Sequence, residues 1–111
     1  MSEKNMIDDF NIAIEQANSA LLSRDYEFAE KLLISQLKKT DSGNTDEITA
    51  LKSLLGKIYI RSNDMQKALT IYTELNALKP NDIEIENSIG LIYRRLKLFN
   101  ESIAVLEKAK S

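Results

Sequence analysis

The sequence contains no cysteine, no histidine and no tryptophan, and its 111 residues include only one proline and three glycines. Without cysteine there is no disulfide and no thiolate nucleophile, and the further lack of histidine excludes an ordinary zinc site. A histidine general base is excluded for the same reason. Because proline and glycine are the main helix breakers, their scarcity favours an all-α chain with short turns.

Long apolar runs and a strong excess of one charge are also missing. No uncharged apolar stretch approaches the length that spans a membrane, and the N-terminal segment MSEKNMIDDF lacks the apolar centre of a signal peptide. The net charge of −2 argues against a nucleic-acid or membrane binder. The three isolated glycines form no phosphate-binding loop, and no carboxylate pair suits acid–base chemistry. We therefore expect a cytoplasmic, non-enzymatic protein without a metal or cofactor.

What the sequence does contain is a pattern that recurs at a fixed interval. Gly56 returns as Gly90 and Tyr59 returns as Tyr93, so the period is 34 residues. Each glycine follows an aliphatic residue, and each copy has a small residue twelve positions after the glycine. The first copy closes with Pro80. This 34-residue pattern resembles the tetratricopeptide repeat.

The resemblance implies an all-α, right-handed solenoid of three antiparallel helix pairs that occupies residues 1–111 as one domain. We predict a degenerate repeat one at about 10–43, repeat two at about 49–82, and repeat three at about 83–111, incomplete at its end. Within these repeats the apolar spacing predicts helices at about 5–23, 46–61, 64–78 and 82–95, one that follows Asp25, and a sixth from Phe99 onward.

Small residues and helix caps carry specific expectations. Gly56 and Gly90 are expected to let the two helices of a pair approach closely, while Tyr59 and Tyr93 fill the space between packed helices. Ala17 aligns with the glycines in the degenerate first repeat. Four residues precede predicted helices as N-caps, namely Asp25, Asn44, Asp64 and Asp82.

The resemblance also implies a concave face that is lined by the first helix of each pair and occupied by a partner. Family positions carried onto this sequence are Ile14, Asn18, Leu21 and Leu22 in repeat one, Ser53, Lys57, Ile60 and Arg61 in repeat two, and Asn87, Leu91, Arg94 and Arg95 in repeat three. This predicted groove is apolar at one end and basic at the other, and its positions carry no acid. A partner with acidic and apolar residues is therefore expected.

One family subtype binds the carboxylate at the end of chaperone tails through a clamp of lysine, asparagine and arginine residues. Only Asn18 matches the positions that this clamp needs. The other clamp positions are held by Ile14, Leu54, Glu84 and Ser88. The resemblance therefore does not extend to that co-chaperone activity.

Three functions fit these observations. The first is a protein-binding module that captures an extended or helical segment of a partner, without nucleic-acid binding or membrane insertion. The second is self-association, since the last helix would leave Ile103, Leu106 and Ala109 uncovered and a homodimer through the C-terminal end would cover them. The third is that the sequence is a piece of a longer repeat protein.

Overall fold

A computed structural model describes residues 2–96, with side chains for residues 9–96. It contains five α-helices and no strand within that part of the chain. The helices are α1 (Ser2–Leu22), α2 (Tyr26–Lys39), α3 (Thr45–Arg61), α4 (Met65–Leu78) and α5 (Ile83–Arg95). The predicted all-α repeat solenoid is confirmed. The largest difference from the expected bounds is at α1, which begins at Ser2 instead of near residue 5.

The predicted sixth helix, from Phe99 onward, lies outside the described residues. The same holds for the C-terminal apolar surface on which the self-association hypothesis depends. The third helix pair is therefore described here through α5 alone.

Each of α2 to α5 begins at a side-chain cap that the sequence predicts. The capping oxygen accepts a hydrogen bond from the backbone N–H three residues later, over 3.4 Å at Asp25, Asn44 and Asp64 and 3.2 Å at Asp82. Such a cap satisfies one of the N–H groups that have no partner in the first turn of a helix. The first residue of each of these helices is thus determined by the capping side chain that precedes it.

The turns that join α1 to α2 and α3 to α4 have the same backbone geometry. Arg24 (φ = 63°) and Asn63 (φ = 65°) both adopt the left-handed conformation. The N–H of Asp25 then donates to the carbonyl of Ala20 over 2.8 Å, and Asp64 makes the equivalent bond over 2.8 Å. This is the Schellman arrangement for ending a helix. Because the cap of the next helix follows at once, the chain reverses and the paired helices run antiparallel.

Replacing Arg24 with glycine is expected to raise the free energy of unfolding by about 0.5–1 kcal/mol. The left-handed backbone costs a residue with a Cβ about 1–2 kcal/mol, and the greater freedom of glycine in the unfolded chain offsets part of the gain. Urea denaturation followed by circular dichroism measures the change. Ser35→Gly, at an exposed position inside α2, is the control and is expected to lose about 0.5 kcal/mol. Equal losses in the two variants would contradict the turn geometry.

The helix pairs stack so that each helix contacts its neighbours along the solenoid. Helix α1 contacts α2 and α3, α3 contacts α2 and α4, and α4 contacts α5. Small residues lie at the crossings, where Ala17, Ala29 and Ala68 are fully buried. Larger side chains fill the core around them, including Leu33, Leu51, Leu55, Ile58, Leu75 and Ile92. The apolar stripes of successive helices therefore form one continuous core.

The two repeated glycines differ in their surroundings. A Cβ at Gly56 would lie 2.7 Å from Cε2 of Tyr72 and 3.3 Å from a methyl group of Ile71, so α3 and α4 meet where only a glycine fits. Around Gly90 no atom of the described residues comes within 4 Å of such a Cβ. The helix expected to pack there lies outside the described residues. The predicted close approach is thus confirmed at Gly56 alone.

Candidate functional site

The residues of the predicted groove lie on α1, α3 and α5, the first helices of the three pairs. Helix α1 contacts α3, and residues of α3 and α5 line one cavity, so these helices follow one another along the same side of the solenoid. Seven of the predicted positions are exposed: Asn18, Leu22, Lys57, Arg61, Asn87, Arg94 and Arg95. Four are half-buried, namely Ile14, Ser53, Ile60 and Leu91, and Leu21 is buried. Most of the predicted groove is therefore accessible to a partner.

Two neighbouring leucines at the end of α1 have opposite environments. Leu21 is only 9% exposed because it continues the buried stripe of Ala13 and Ala17 at four-residue spacing. Leu22 lies about 100° further around the helix and is 83% exposed. The accessible apolar surface at this end of the groove is smaller than the sequence suggests, because Leu21 is buried and Leu22 supplies most of that surface.

The four cations of the predicted groove are all exposed. Lys57 and Arg61 lie on α3, and Arg94 and Arg95 occupy the last turn of α5. Within residues 9–96 none of them forms an ion pair. Other lysines do, as the 2.9 Å contact between Lys52 and a carboxylate of α4 shows. The basic groups of this face therefore remain oriented toward solvent.

A small cavity of about 160 Å³ lies between α3 and α5. Two predicted groove residues, Ser53 and Lys57, line this cavity. The other four lining residues were not predicted as groove residues: Tyr72, Glu84, Ile85 and Ser88. Burial raises the pKa of the Tyr72 hydroxyl above its ordinary value, so the hydroxyl stays neutral. The cavity combines one cation, one anion and three neutral hydroxyl groups, an arrangement that suits polar, uncharged groups such as a peptide backbone.

This cavity modifies the prediction that the groove carries no acid. The groove positions themselves are free of acid, but Glu84 lines the cavity beside Lys57 without approaching it to ion-pair distance. Glu84 and Ser88 stand at positions of the carboxylate clamp, so the family pattern places them near a ligand although their chemistry differs. The positions of Glu84 and Ser88 in the repeat could therefore be identified from the sequence.

A larger cavity of about 560 Å³ opens at the C-terminal ends of α1 and α3. Its lining consists of Leu21, Leu22, Arg24, Tyr26 and Arg61. Sequence reasoning identified three of these and missed Arg24 and Tyr26, which belong to the turn and to the first position of α2. We refer to this cavity as the helix-end pocket. The remaining groove residues, including Arg94 and Arg95, border neither cavity.

A partly buried polar contact joins the first two helix pairs. The hydroxyl of Tyr59 on α3 donates to the carboxylate of Glu30 on α2 over 2.7 Å, and Lys67 on α4 donates to the same oxygen over 3.3 Å. Burial, the bond to Glu30 and the nearby negative charge raise the pKa of Tyr59 well above its ordinary value. The tyrosine is therefore a neutral donor, and the carboxylate of Glu30 links α2 to both α3 and α4.

The part of the chain that the structure describes contains neither a metal-ligand cluster nor a membrane-spanning helix. No group of three metal-ligating side chains occurs there. None of the five helices is both long and apolar enough to cross a membrane. The face that α1, α3 and α5 share presents charged groups, hydroxyl groups and a few apolar side chains.

Two family models, each described as tetratricopeptide repeat, match the sequence, one at residues 50–84 and the other at residues 87–111. The first match covers α4 and most of α3, and the second covers most of α5 and continues past it. No curated protein and no solved structure matches the chain. Residues 1–49 lie outside both family matches.

Proposed function

Because this chain belongs to the tetratricopeptide repeat family, whose repeats generally mediate protein–protein interactions, we propose that it is a non-enzymatic module that binds a segment of a partner protein. The segment lies in extended or helical form along the face that α1, α3 and α5 share. The observation that carries this proposal is the set of four exposed cations on that face, in a protein whose net charge is −2.

Charge complementarity indicates the chemistry of the partner. Lys57, Arg61, Arg94 and Arg95 would meet acidic side chains, because a surface of one sign attracts and orients a partner of the other. Leu22 and the exposed parts of Ile60 and Leu91 would contact apolar side chains. The polar cavity beside Lys57 would accept backbone groups between them. A segment that alternates acidic and apolar residues satisfies all three features.

We also propose that the described helices belong to one domain with three repeats. Residues 10–43 would form the first repeat although neither family model covers them. Support comes from the α1–α2 turn, which repeats the hydrogen bonds of the α3–α4 turn. Further support comes from Ala17 and Ala29, which are fully buried at the positions equivalent to Gly56 and Ala68.

Reversing two groove charges is expected to weaken partner binding. In the variant Arg94→Glu/Arg95→Glu, attraction becomes repulsion at two exposed sites, and we expect affinity to fall by about tenfold at physiological salt. Wild-type affinity is itself expected to fall as salt rises, because exposed charges are screened beyond about 8–10 Å. The measurement is affinity against ionic strength for a protein captured from lysate and then purified.

The matched control is Lys38→Glu/Lys39→Glu, which reverses two exposed cations at the end of α2. This control is expected to keep wild-type affinity and salt dependence. If the captured protein binds wild type and both variants equally at every salt concentration, Arg94 and Arg95 take no part in binding and the basic-face part of the proposed function is contradicted.

A further inference from the structure

The helix-end pocket is lined by residues at equivalent positions of the first and second helix pairs, and these residues differ in side-chain type. Leu22 and Arg61 are each the last residue of a first helix, and both line the pocket. Arg24 and Asn63 are the left-handed residues of the two turns, yet only Arg24 lines it. The pocket therefore combines an apolar group from one pair with guanidinium groups from both.

Arg24 is an unfavourable residue for its backbone conformation. Asparagine tolerates the left-handed region far better than arginine, and the equivalent turn uses Asn63 there. A strained residue that borders a cavity points to a role for its side chain. The turn itself would form at least as well with asparagine, so turn formation does not explain the arginine.

The charges of the pocket favour an anion. Two guanidinium groups line it and no carboxylate does. Asp25 follows Arg24 in the sequence, accepts the N–H of Phe28 as a helix cap and adds one negative charge near the pocket. The C-terminal ends of α1 and α3 each contribute about half a negative charge, and the N-terminal end of α2 contributes about half a positive charge. Together these groups offset about 1.5 of the two positive charges, so the pocket keeps a small net positive charge.

The apolar part of the pocket is equally accessible. Leu22 is 83% exposed, and the half-buried Tyr26 lines the same pocket. A volume of about 560 Å³ is large enough for more than one side chain. An anion alone would leave Leu22 and Tyr26 without a partner, whereas an apolar group alone would leave both arginines without one.

We propose that the helix-end pocket binds a bulky apolar side chain followed by a side-chain carboxylate, in a segment of a partner protein. The carboxylate lies between Arg24 and Arg61, and the apolar group packs on Leu22 and Tyr26. This proposal rests on the proposed function, because it assigns one anchor point within the partner segment. It places that anchor at the edge of the groove, away from Arg94 and Arg95.

The test titrates ¹⁵N-labelled protein with short capped peptides and follows backbone amide shifts by NMR. The probe is the N-acetylated, C-amidated hexapeptide Ser-Gly-Phe-Glu-Gly-Ser, and its matched control carries Gln in place of Glu. We expect the probe to shift the amides of residues 21–26 and of Arg61, with an affinity at least about tenfold above that of the Gln peptide. The double variant Arg24→Asn/Arg61→Gln, which keeps a residue suited to the turn, is expected to lose this difference.

Further variants and ligands in the same NMR titration distinguish this proposal from its alternatives. Leu22→Ser, an exposed change, is expected to weaken binding of the probe, and Lys38→Asn/Lys39→Gln is expected to leave it unchanged. Equal shifts with inorganic phosphate alone would mean an anion site only and would overturn the proposal. Tighter binding of an uncapped peptide that ends in Phe would also overturn it, because a chain terminus would then be the ligand.

The two proposals fail in different ways. Probe-induced shifts at the last turn of α5 but not at residues 21–26 would overturn the pocket proposal and leave the proposed function standing. Probe binding at residues 21–26, together with partner capture that ignores the charges of α5, would support the pocket and contradict the basic-face part of the proposed function. Absence of any shift at about 5 mM probe, a concentration that detects even millimolar affinity, would overturn the pocket proposal.

Discussion

Replacing Tyr59 with alanine is expected to lower the free energy of unfolding by about 3–5 kcal/mol, the range seen for buried aromatic residues. Tyr59 is 6% exposed and lies in the core where α2, α3 and α4 meet. A domain of this length is stable by about 5–15 kcal/mol in total. The loss is at least about a fifth of that total, and the melting temperature of the variant should be more than about 10 °C lower.

Much of this loss of stability comes from the buried aromatic ring. A second variant measures the contribution of the hydroxyl separately. Tyr59→Phe keeps the ring but removes the 2.7 Å bond to Glu30, leaving that partly buried carboxylate with Lys67 alone. Because bonds to charged groups are worth about 1.5–3 kcal/mol and Glu30 is not fully buried, we expect a loss of about 1–2 kcal/mol. The matched control is Tyr26→Phe, whose hydroxyl makes no hydrogen bond within residues 9–96.

The same bond predicts how stability depends on pH. The pKa of Tyr59 is raised in the folded protein, above an unfolded value of about 10. Above that pH the unfolded chain loses the tyrosine proton first, so it binds fewer protons than the folded protein and stability falls as pH rises. The contribution of the hydroxyl is therefore complete at neutral pH and shrinks above about pH 10. The difference between wild type and Tyr59→Phe should shrink over the same range.

Urea denaturation at pH 7 and at several values above 10 measures all of these effects. A Tyr59→Phe variant as stable as wild type at pH 7 would show that the bond to Glu30 contributes nothing. A difference that stays constant above pH 10 would show that the raised pKa is not coupled to folding.

Features that are set within a few residues of sequence could be predicted correctly. The caps at Asp25 and Asp64 follow from the preference of a short acidic side chain for the N–H groups of a first helical turn. The end of α4 before Pro80 follows from the lost donor and fixed φ of proline. Small residues at Gly56 and Ala68 follow from the repeat pattern. All of these signals are local or periodic. A periodic pattern can be recognised in the sequence without knowing which helices pack against each other.

Contacts between residues far apart in sequence could not be predicted in this way. Glu30 reaches Tyr59 across 29 positions, and Lys52 on α3 pairs with Glu74 on α4. The direction of a long polar side chain depends on the stacking of neighbouring helices, and the apolar pattern does not encode it.

The candidate site was predicted as a face and not as a set of cavities. The family positions predict which helices would face a partner, and seven of the predicted residues are exposed. The pattern treats Leu21 and Leu22 alike, although one completes the core stripe and the other leaves it. Arg24 was overlooked because turn residues are usually read for backbone geometry, and its side chain had no place in the repeat pattern.

A Cβ at position 56 is expected to push α3 and α4 apart. It would lie 2.7 Å from Cε2 and 2.9 Å from Cζ of Tyr72, whose ring is rigid and only 6% exposed. Overpacking of this kind costs about 1–3 kcal/mol. In Gly56→Ala the higher helix propensity of alanine offsets about 1 kcal/mol of this cost, so the expected net loss is about 0–2 kcal/mol. In Gly56→Leu the larger side chain adds to the clash, and we expect a net loss of about 1–3 kcal/mol. Thr73→Leu, an exposed change in α4, is the control.

A double-mutant cycle identifies Tyr72 as the cause of the strain at Gly56. Tyr72→Leu removes the part of the ring that the new Cβ would meet, at the cost of a cavity in the core. If the clash is the reason for the loss, Gly56→Leu/Tyr72→Leu is destabilised by less than the sum of the two single variants, by about 1 kcal/mol or more. The shorter side chain then occupies the space that the ring leaves. Additive losses in urea denaturation would show that position 56 is sensitive for a reason other than its contact with Tyr72.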